Sequence, residues 1–255
     1  MLKNLGIVEV TAPSTGHPLD RHMTRRFCGK SLLEWTVRRL TDCQQLDGVI
    51  AVVDCGMSDE LLACNVPSDV PIFKMSGSDA LGRLNAALAE FPANAVVRVG
   101  LETPFIDPMM IDSLVTTSER YPSCDYIGYC SNSGQPVLKS RVGIFAEWCR
   151  ADAIRQANRL SGDDTDRNYS TKFLCSHPEM FQLRFIPIPV ELDRDDLRLT
   201  LCGEEDWEHA ETIIEALDSE DPDWRQVVRL LDDHPSLRER MATLNRQQSK
   251  EAYLY

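Results

Sequence analysis

Residues 13–22, PSTGHPLDRH, lie between a short apolar run and a Gly29-Lys30 pair that opens an amphipathic segment. Strand, small-residue loop, Gly-Lys and helix is the order in which a phosphate cradle is built, with backbone N–H groups and a helix N-terminus receiving the anion. Ser14, Thr15 and Gly16 offer hydroxyl and backbone donors, but the loop holds no lysine. Arg21, Arg25 and Arg26 follow closely and either take the cation's place or form a solvated basic face. Lys30 has the same two readings, ligand or surface lysine. His17 and His22 share the loop, yet two histidines with no third ligand in view do not make a metal site. Nine cysteines are scattered with no C-x-x-C pair, so a zinc site is not expected.

Composition sets the outer bounds. A chain of 255 residues, 43% of them apolar, can bury a sizeable core. Its net charge of −13 argues against nucleic acid or an anionic membrane surface as a general partner. It leaves room for a nucleotide, which needs only a local cationic pocket. No apolar run approaches the roughly 20 residues of a membrane helix. MLKNLGIVEV has too short an apolar stretch for a secretory signal, so reduced thiols in a cytoplasm are the expectation.

These residues must be positioned by alternating strands and helices. LGIVEVT (5–11), GVIAVVD (48–54), VPIFKM (70–75) and AVVRVG (95–100) read as strands buried on both faces. Between them, 31–43 places Leu33, Val37 and Leu40 on one helical stripe, with Trp35 off it. Residues 58–65 and 80–91 read as helices, the second capped by Ser78 and Asp79. Asp107-Pro108 starts another helix. The rhythm predicts an α/β fold with a doubly wound, mainly parallel sheet. Ligands on such sheets bind beyond the carboxyl ends of the strands, where 12–30, 54–58, 75–79 and 100–107 gather. The second half is less regular: strands near 125–130, 137–145 and 182–188, a helix at 147–160, a strand at 197–201 and a helix at 204–217. Two short helices broken at His234-Pro235 follow. We divide the chain into an α/β domain at 1–217 and a helical extension at 218–255.

Four stretches carry a family resemblance. GKSLLEWTVRRL (29–40), GSDALGRLNAAL (77–88), VVRVGLETPFIDPMMID (96–112) and HPEMFQLRFIPIP followed by DLRLTLCGEEDWEHAETIIEAL resemble, in order and spacing, the cytidylyltransferases that activate acidic and spore-coat sugars. These are the CMP-Kdo and CMP-sialate synthetases and, closest, the SpsF-like proteins. The resemblance runs from residue 5 to about 240. It implies a Rossmann-type fold of the nucleotide-diphospho-sugar transferase kind and transfer of CMP from CTP to an acidic sugar in cell-surface polysaccharide biosynthesis. It also implies Mg²⁺ as cofactor, and a homodimer pairing through parts of 125–195. It makes Ser78, Asp79 and Arg83 nucleotide-side residues beside Ser14, Thr15, Gly16 and Arg21. Glu102, in LETP, stands where the family's G-D-C-P holds a catalytic, metal-binding aspartate.

The sequence departs from that pattern at several points. Against the family's R-M-G-S-T-R-L-P-G-K, both arginines become Pro13 and Pro18, and the lysine becomes His22. The second metal aspartate becomes Cys202, a poor ligand for a hard cation. Glu204, Glu205 and Asp206 stand close by but fit the first turn of the next helix. The acidic substrate strand becomes SRVGIF, with Arg141 and Gly143. Each loss can remove several kcal/mol of transition-state stabilisation. Two outcomes follow: a divergent nucleotidyltransferase acting through Glu102, or a catalytically inactive relative that binds nucleotide or sugar or serves as a partner protein.

Overall fold

A computed structural model describes residues 1–10, 25–54, 58–77, 79–137 and 140–252, side chains at 61 and 248–252 excepted. Strand β1 spans Leu2–Val10. A two-residue hairpin, β2 (Arg26–Phe27) and β3 (Lys30–Ser31), leads into helix α1 (Leu32–Thr41). Then come β4 (Gly48–Val53), α2 (Asp59–Asn65), β5 (Ile72–Lys74), α3 (Ala80–Glu90), β6 (Ala93–Gly100) and α4 (Pro108–Arg120). The second half adds β7 (Tyr126–Cys130), β8 (Glu147–Arg150), α5 (Ala151–Leu160), α6 (Asp164–Arg167), α7 (Lys172–Ser176) and β9 (Leu183–Pro187). Helices α8 (Glu204–Leu217), α9 (Trp224–Asp233) and α10 (Pro235–Ala252) close the chain.

The seven-stranded sheet runs β5-β4-β1-β6-β8-β7-β9. Neighbours from β5 to β6 are parallel, β8 is antiparallel to both of its neighbours, and β7 pairs in parallel with β9. This is the doubly wound, mainly parallel sheet expected. Alternation along β1 sends Leu5 and Ile7 into one core with α3 and α5, and Val8 and Val10 into another with α1 and α4. Residues Trp224, Val227, Leu231 and Met241 of α9 and α10 join the second core.

Three expectations in the irregular half give way. No strand forms at 140–146 among the described residues. The helix expected from 147 starts at 151, because Glu147–Arg150 supplies the antiparallel strand beside β6. Segment 197–201 does not join the sheet. Its backbone is satisfied instead by loops: Leu199 N–H donates to the Arg141 carbonyl at 2.8 Å and Leu201 N–H to that of Glu102 at 2.8 Å. Trp35 also departs from the one-stripe reading of α1. It is buried, its indole N–H donating to the Pro104 carbonyl at 2.8 Å. Helix α1 is covered on both sides, by the sheet and by a Phe27–Trp207 stack with ring centroids 4.8 Å apart.

Gly143 lets two loops meet. Its φ is +66°, and a Cβ there would lie 2.8 Å from the Leu199 carbonyl carbon and the Thr200 nitrogen. Gly143→Ala is therefore expected to destabilise the fold by about 2 kcal/mol, combining backbone strain with the clash; urea denaturation measures it.

Candidate functional site at the carboxyl edge

The registers Glu9↔Gly100 and Val10↔Val53 bring the carboxyl ends of β1, β4 and β6 level. Three segments are knitted together there. Loop 100–103 is joined to 199–203 through Leu201, and 199–203 to 141–143 through Leu199 and Thr200. Glu102, Arg141 and Cys202 therefore share this edge. Glu102 is exposed, and its carboxylate folds back over Gly100. Arg141, also exposed, donates from Nη1 to the Cys202 Sγ at 2.9 Å. Burial pushes the Cys202 thiol up, against the downward pull of Arg141 and of a hydrogen bond with Thr200, so the sulfur is a neutral acceptor at neutral pH.

Beneath this edge lies a buried charge network that the sequence reading did not anticipate. Arg98 donates from Nε to Glu9 at 2.7 Å, and from Nη1 to Glu147 at 3.0 Å and to the Tyr169 hydroxyl at 2.9 Å. Tyr126 and Thr171 donate to Glu147, and Ser170 donates to Glu9. The guanidinium also lies over the Tyr169 ring, 4.5 Å from its centroid. Burial works against the Arg98 charge, but Glu9, Tyr169, Glu147 and Glu102 outweigh it and hold its pKa well above the ordinary value. Burial raises Glu147, the opposing pull of Arg98 notwithstanding. A signal was there to read: Glu9 and Arg98 interrupt apolar strands, and a charge in such a place requires a partner.

Of the site residues expected from the sequence, Ser14, Thr15, Gly16, Arg21 and Ser78 lie outside the described residues, as do His17 and His22. Asp79 caps α3 through the Gly82 N–H at 2.7 Å and pairs with Arg167 at 2.6 Å. Its burial opposes ionisation, yet Arg167 and that N–H hold its pKa below the usual value. Arg83 is buried and donates to the Gly77 carbonyl at 2.8 Å. Of the cations considered for phosphate, Arg25 pairs with Glu204 and Lys30 with Glu220 at 2.6 Å, while Arg26 donates to the Gly29 carbonyl at 3.0 Å. Asp206 is buried, accepting from Arg198 at 3.0 Å and from the Cys202 and Gly203 N–H groups at 2.9 and 3.0 Å. Asp107 caps α4, and Asp112 accepts from the Gln44 and Gln45 N–H groups.

The donor set at this edge does not fit Mg²⁺. That ion requires several hard oxygen ligands in a near-ideal octahedron. Among the described residues the knitted loops offer one carboxylate not held in an ion pair, Glu102, and a neutral thiol already held by a guanidinium, while Asp206 is consumed by Arg198. Among the described residues no group of three or more His, Cys, Asp or Glu side chains is placed to hold a metal.

Comparison with known proteins follows the same lines. No family model matches the sequence. The spore coat polysaccharide biosynthesis protein SpsF of Bacillus subtilis is 23% identical over 189 residues, 73% of this chain and 75% of that protein. An uncharacterized protein of Methanocaldococcus jannaschii, MJ1063, is 23% identical over 239 residues, 93% of each. Among solved structures, a cytidylyltransferase from Leptospira borgpetersenii superposes with a TM-score of 0.76 at 17% identity, covering 92% of this chain and 95% of that one. A CMP:2-keto-3-deoxy-manno-octonic acid synthetase complexed with CTP gives 0.56 at 11% identity, covering 73% and 90%. Rv0371C of Mycobacterium tuberculosis, in complex with manganese, gives 0.57 at 14%, covering 82% and 98%. The fold is that of the cytidylyltransferase-like nucleotidyltransferases. Among the described residues no helix is long and apolar enough to cross a membrane.

Removing the network's cation is the severe test of its structural weight. Arg98→Met leaves Glu9 and Glu147 buried without their partner and is expected to cost about 3–5 kcal/mol of stability. Tyr169→Phe removes one hydrogen bond and is expected to cost about 1 kcal/mol. Equilibrium unfolding of both variants checks the contrast.

Proposed function

We propose that the protein handles a cytidine nucleotide and an acidic sugar at this carboxyl edge, as a divergent cytidylyltransferase-like protein of cell-surface polysaccharide biosynthesis. One observation carries the reading. In a nucleotidyltransferase fold, three knitted loops bring Glu102, Arg141 and Cys202 to the end of the sheet where such folds place their ligand. In the transfer reaction a sugar hydroxyl oxygen bonds to the α-phosphorus of CTP, the α–β phosphoanhydride bond breaks, and pyrophosphate leaves. Glu102, exposed and without a partner that fixes it elsewhere in the described residues, is the carboxylate that accepts the hydroxyl proton. Ser14, Thr15, Gly16, Arg21 and Ser78 would contact the nucleotide. Asp79 and Arg83 would shape its loop.

A second reading has its own support. Arg141 contacts Cys202, the residue the resemblance sets against a metal aspartate, and Arg25 and Lys30 are already paired with acids. A protein built this way binds nucleotide or sugar without turning it over.

Pyrophosphate release from CTP with a panel of acidic sugars separates the two. Glu102→Gln keeps the size and removes the charge. It is expected to reduce release at least about a hundredfold while leaving the thermal transition unchanged. Retained turnover in that variant places the chemistry elsewhere. Binding of CTP with no release by the wild type favours the second reading. We also propose a homodimer pairing through parts of 125–195; a monomeric mass by light scattering at high concentration would sink that pairing.

A further inference from the structure

The arginines near the carboxyl edge differ in their partners. Arg25, Arg98, Arg167 and Arg198 each meet a carboxylate, while Arg26 and Arg83 donate to the backbone carbonyls of Gly29 and Gly77. Arg141 has neither. Its described partner is the Cys202 sulfur, and it makes no ion pair among the described residues. A neutral thiol is a weak acceptor and leaves the guanidinium charge uncompensated. The same residue is exposed, and the Cys202 sulfur takes one of its five N–H donors.

Its backbone is anchored as well. The Arg141 carbonyl accepts from the Leu199 N–H at 2.8 Å and the Thr200 N–H at 3.3 Å, and Gly143 at φ +66° lets the two loops close to contact. The cation is thus pre-positioned on the segment that carries Cys202, beside the loop that carries Glu102. A pre-positioned, unpaired guanidinium with a fork of donors suits a phosphate group. A divalent ion placed beside it would be repelled by the guanidinium and, among the described residues of these loops, would find one carboxylate and a thiol for ligands.

We propose that Arg141 is the resident cation of this edge, compensating the charge of a bound nucleoside phosphate so that binding needs no divalent ion. Cys202 is what keeps it available. A carboxylate at 202 would form an ion pair with Arg141 and cancel the charge that the ligand requires. This inference rests on the nucleotide-binding reading above.

Calorimetric titration of the full chain with CTP, in Mg²⁺ and in EDTA, tests it. Wild-type affinities are expected to agree within about threefold between the two conditions, less than 1 kcal/mol. Arg141→Gln is expected to weaken metal-free binding by about tenfold or more, and Arg141→Lys to recover part of the loss. Cys202→Asp is expected to weaken metal-free binding and to make the affinity depend on Mg²⁺. Circular dichroism and thermal melting confirm that each variant is folded. Wild-type binding that appears only with Mg²⁺ overturns the inference and leaves the nucleotide reading standing. Metal-free binding untouched by Arg141→Gln overturns it too, since the compensating cation then lies elsewhere. Failure to bind CTP, CMP or pyrophosphate under either condition removes both.

Discussion

A single guanidinium, that of Arg98, sits between two buried carboxylates, and much of the carboxyl edge is built over it. Glu9 comes from β1, Arg98 from β6 and Glu147 from β8, so the network spans three adjacent strands on one face of the sheet. Desolvating three charges is expensive, and the attraction between them offsets that cost only when every remaining donor and acceptor is met. Here Tyr126, Thr171, Ser170 and Tyr169 meet them. Residues 169–171, which lie outside the sheet, are thereby fastened to its floor. The sheet consequently carries a polar centre on this face, and Glu102 of the loop after β6 adds to the charge that favours the Arg98 cation.

A second constraint comes from loop against loop. Segments 101–103, 141–143 and 199–201 contain no regular structure, yet several of their backbone groups pair with one another. Such mutual satisfaction lets irregular backbone hold a side chain as firmly as a strand would. It explains how Arg141 and Cys202, 61 residues apart in sequence, come into contact. It also shows why Asp206 cannot serve as a replacement acid there: its oxygens already bind Arg198 and the N–H groups of Cys202 and Gly203, just before α8.

The first half of the fold was legible because its strands are continuous apolar runs and its helices carry caps: Asp79, and Asp107 before Pro108, mark helix starts the structure retains. The second half was not. Val142, Ile144 and Phe145 are as apolar as any strand, but the positive φ of Gly143 turns the chain toward 199–200 instead of along a neighbour. Glu147–Arg150 reads as the start of the helix that follows because four residues carry too little periodicity to separate helix from strand. The edge itself was half legible. Glu102 and Cys202 could be placed by resemblance. Arg141 could be recognised only as a departure, since its contact with the thiol depends on a loop closure that no local pattern encodes.

Helix α1 has a covering that arrives late. Arg39 is buried within it, donating to the Ile106 carbonyl at 2.7 Å and to the Pro222 carbonyl at 2.8 Å, and pairing with Asp221 at 2.9 Å. Phe27, just before the helix, stacks on Trp207. Asp221, Pro222 and Trp207 lie roughly 180 residues further along the chain than the groups they meet. During synthesis α1 leaves the ribosome with an apolar flank and an arginine whose partners at 221 and 222 have not yet been made. Closing so long a loop is entropically costly and slow, and the flank stays open to other chains until it closes. The last quarter of the protein thus acts as a lock on its first quarter, and a nascent chain interrupted before residue 222 would present a half-dressed helix to whatever chaperone or protease meets it.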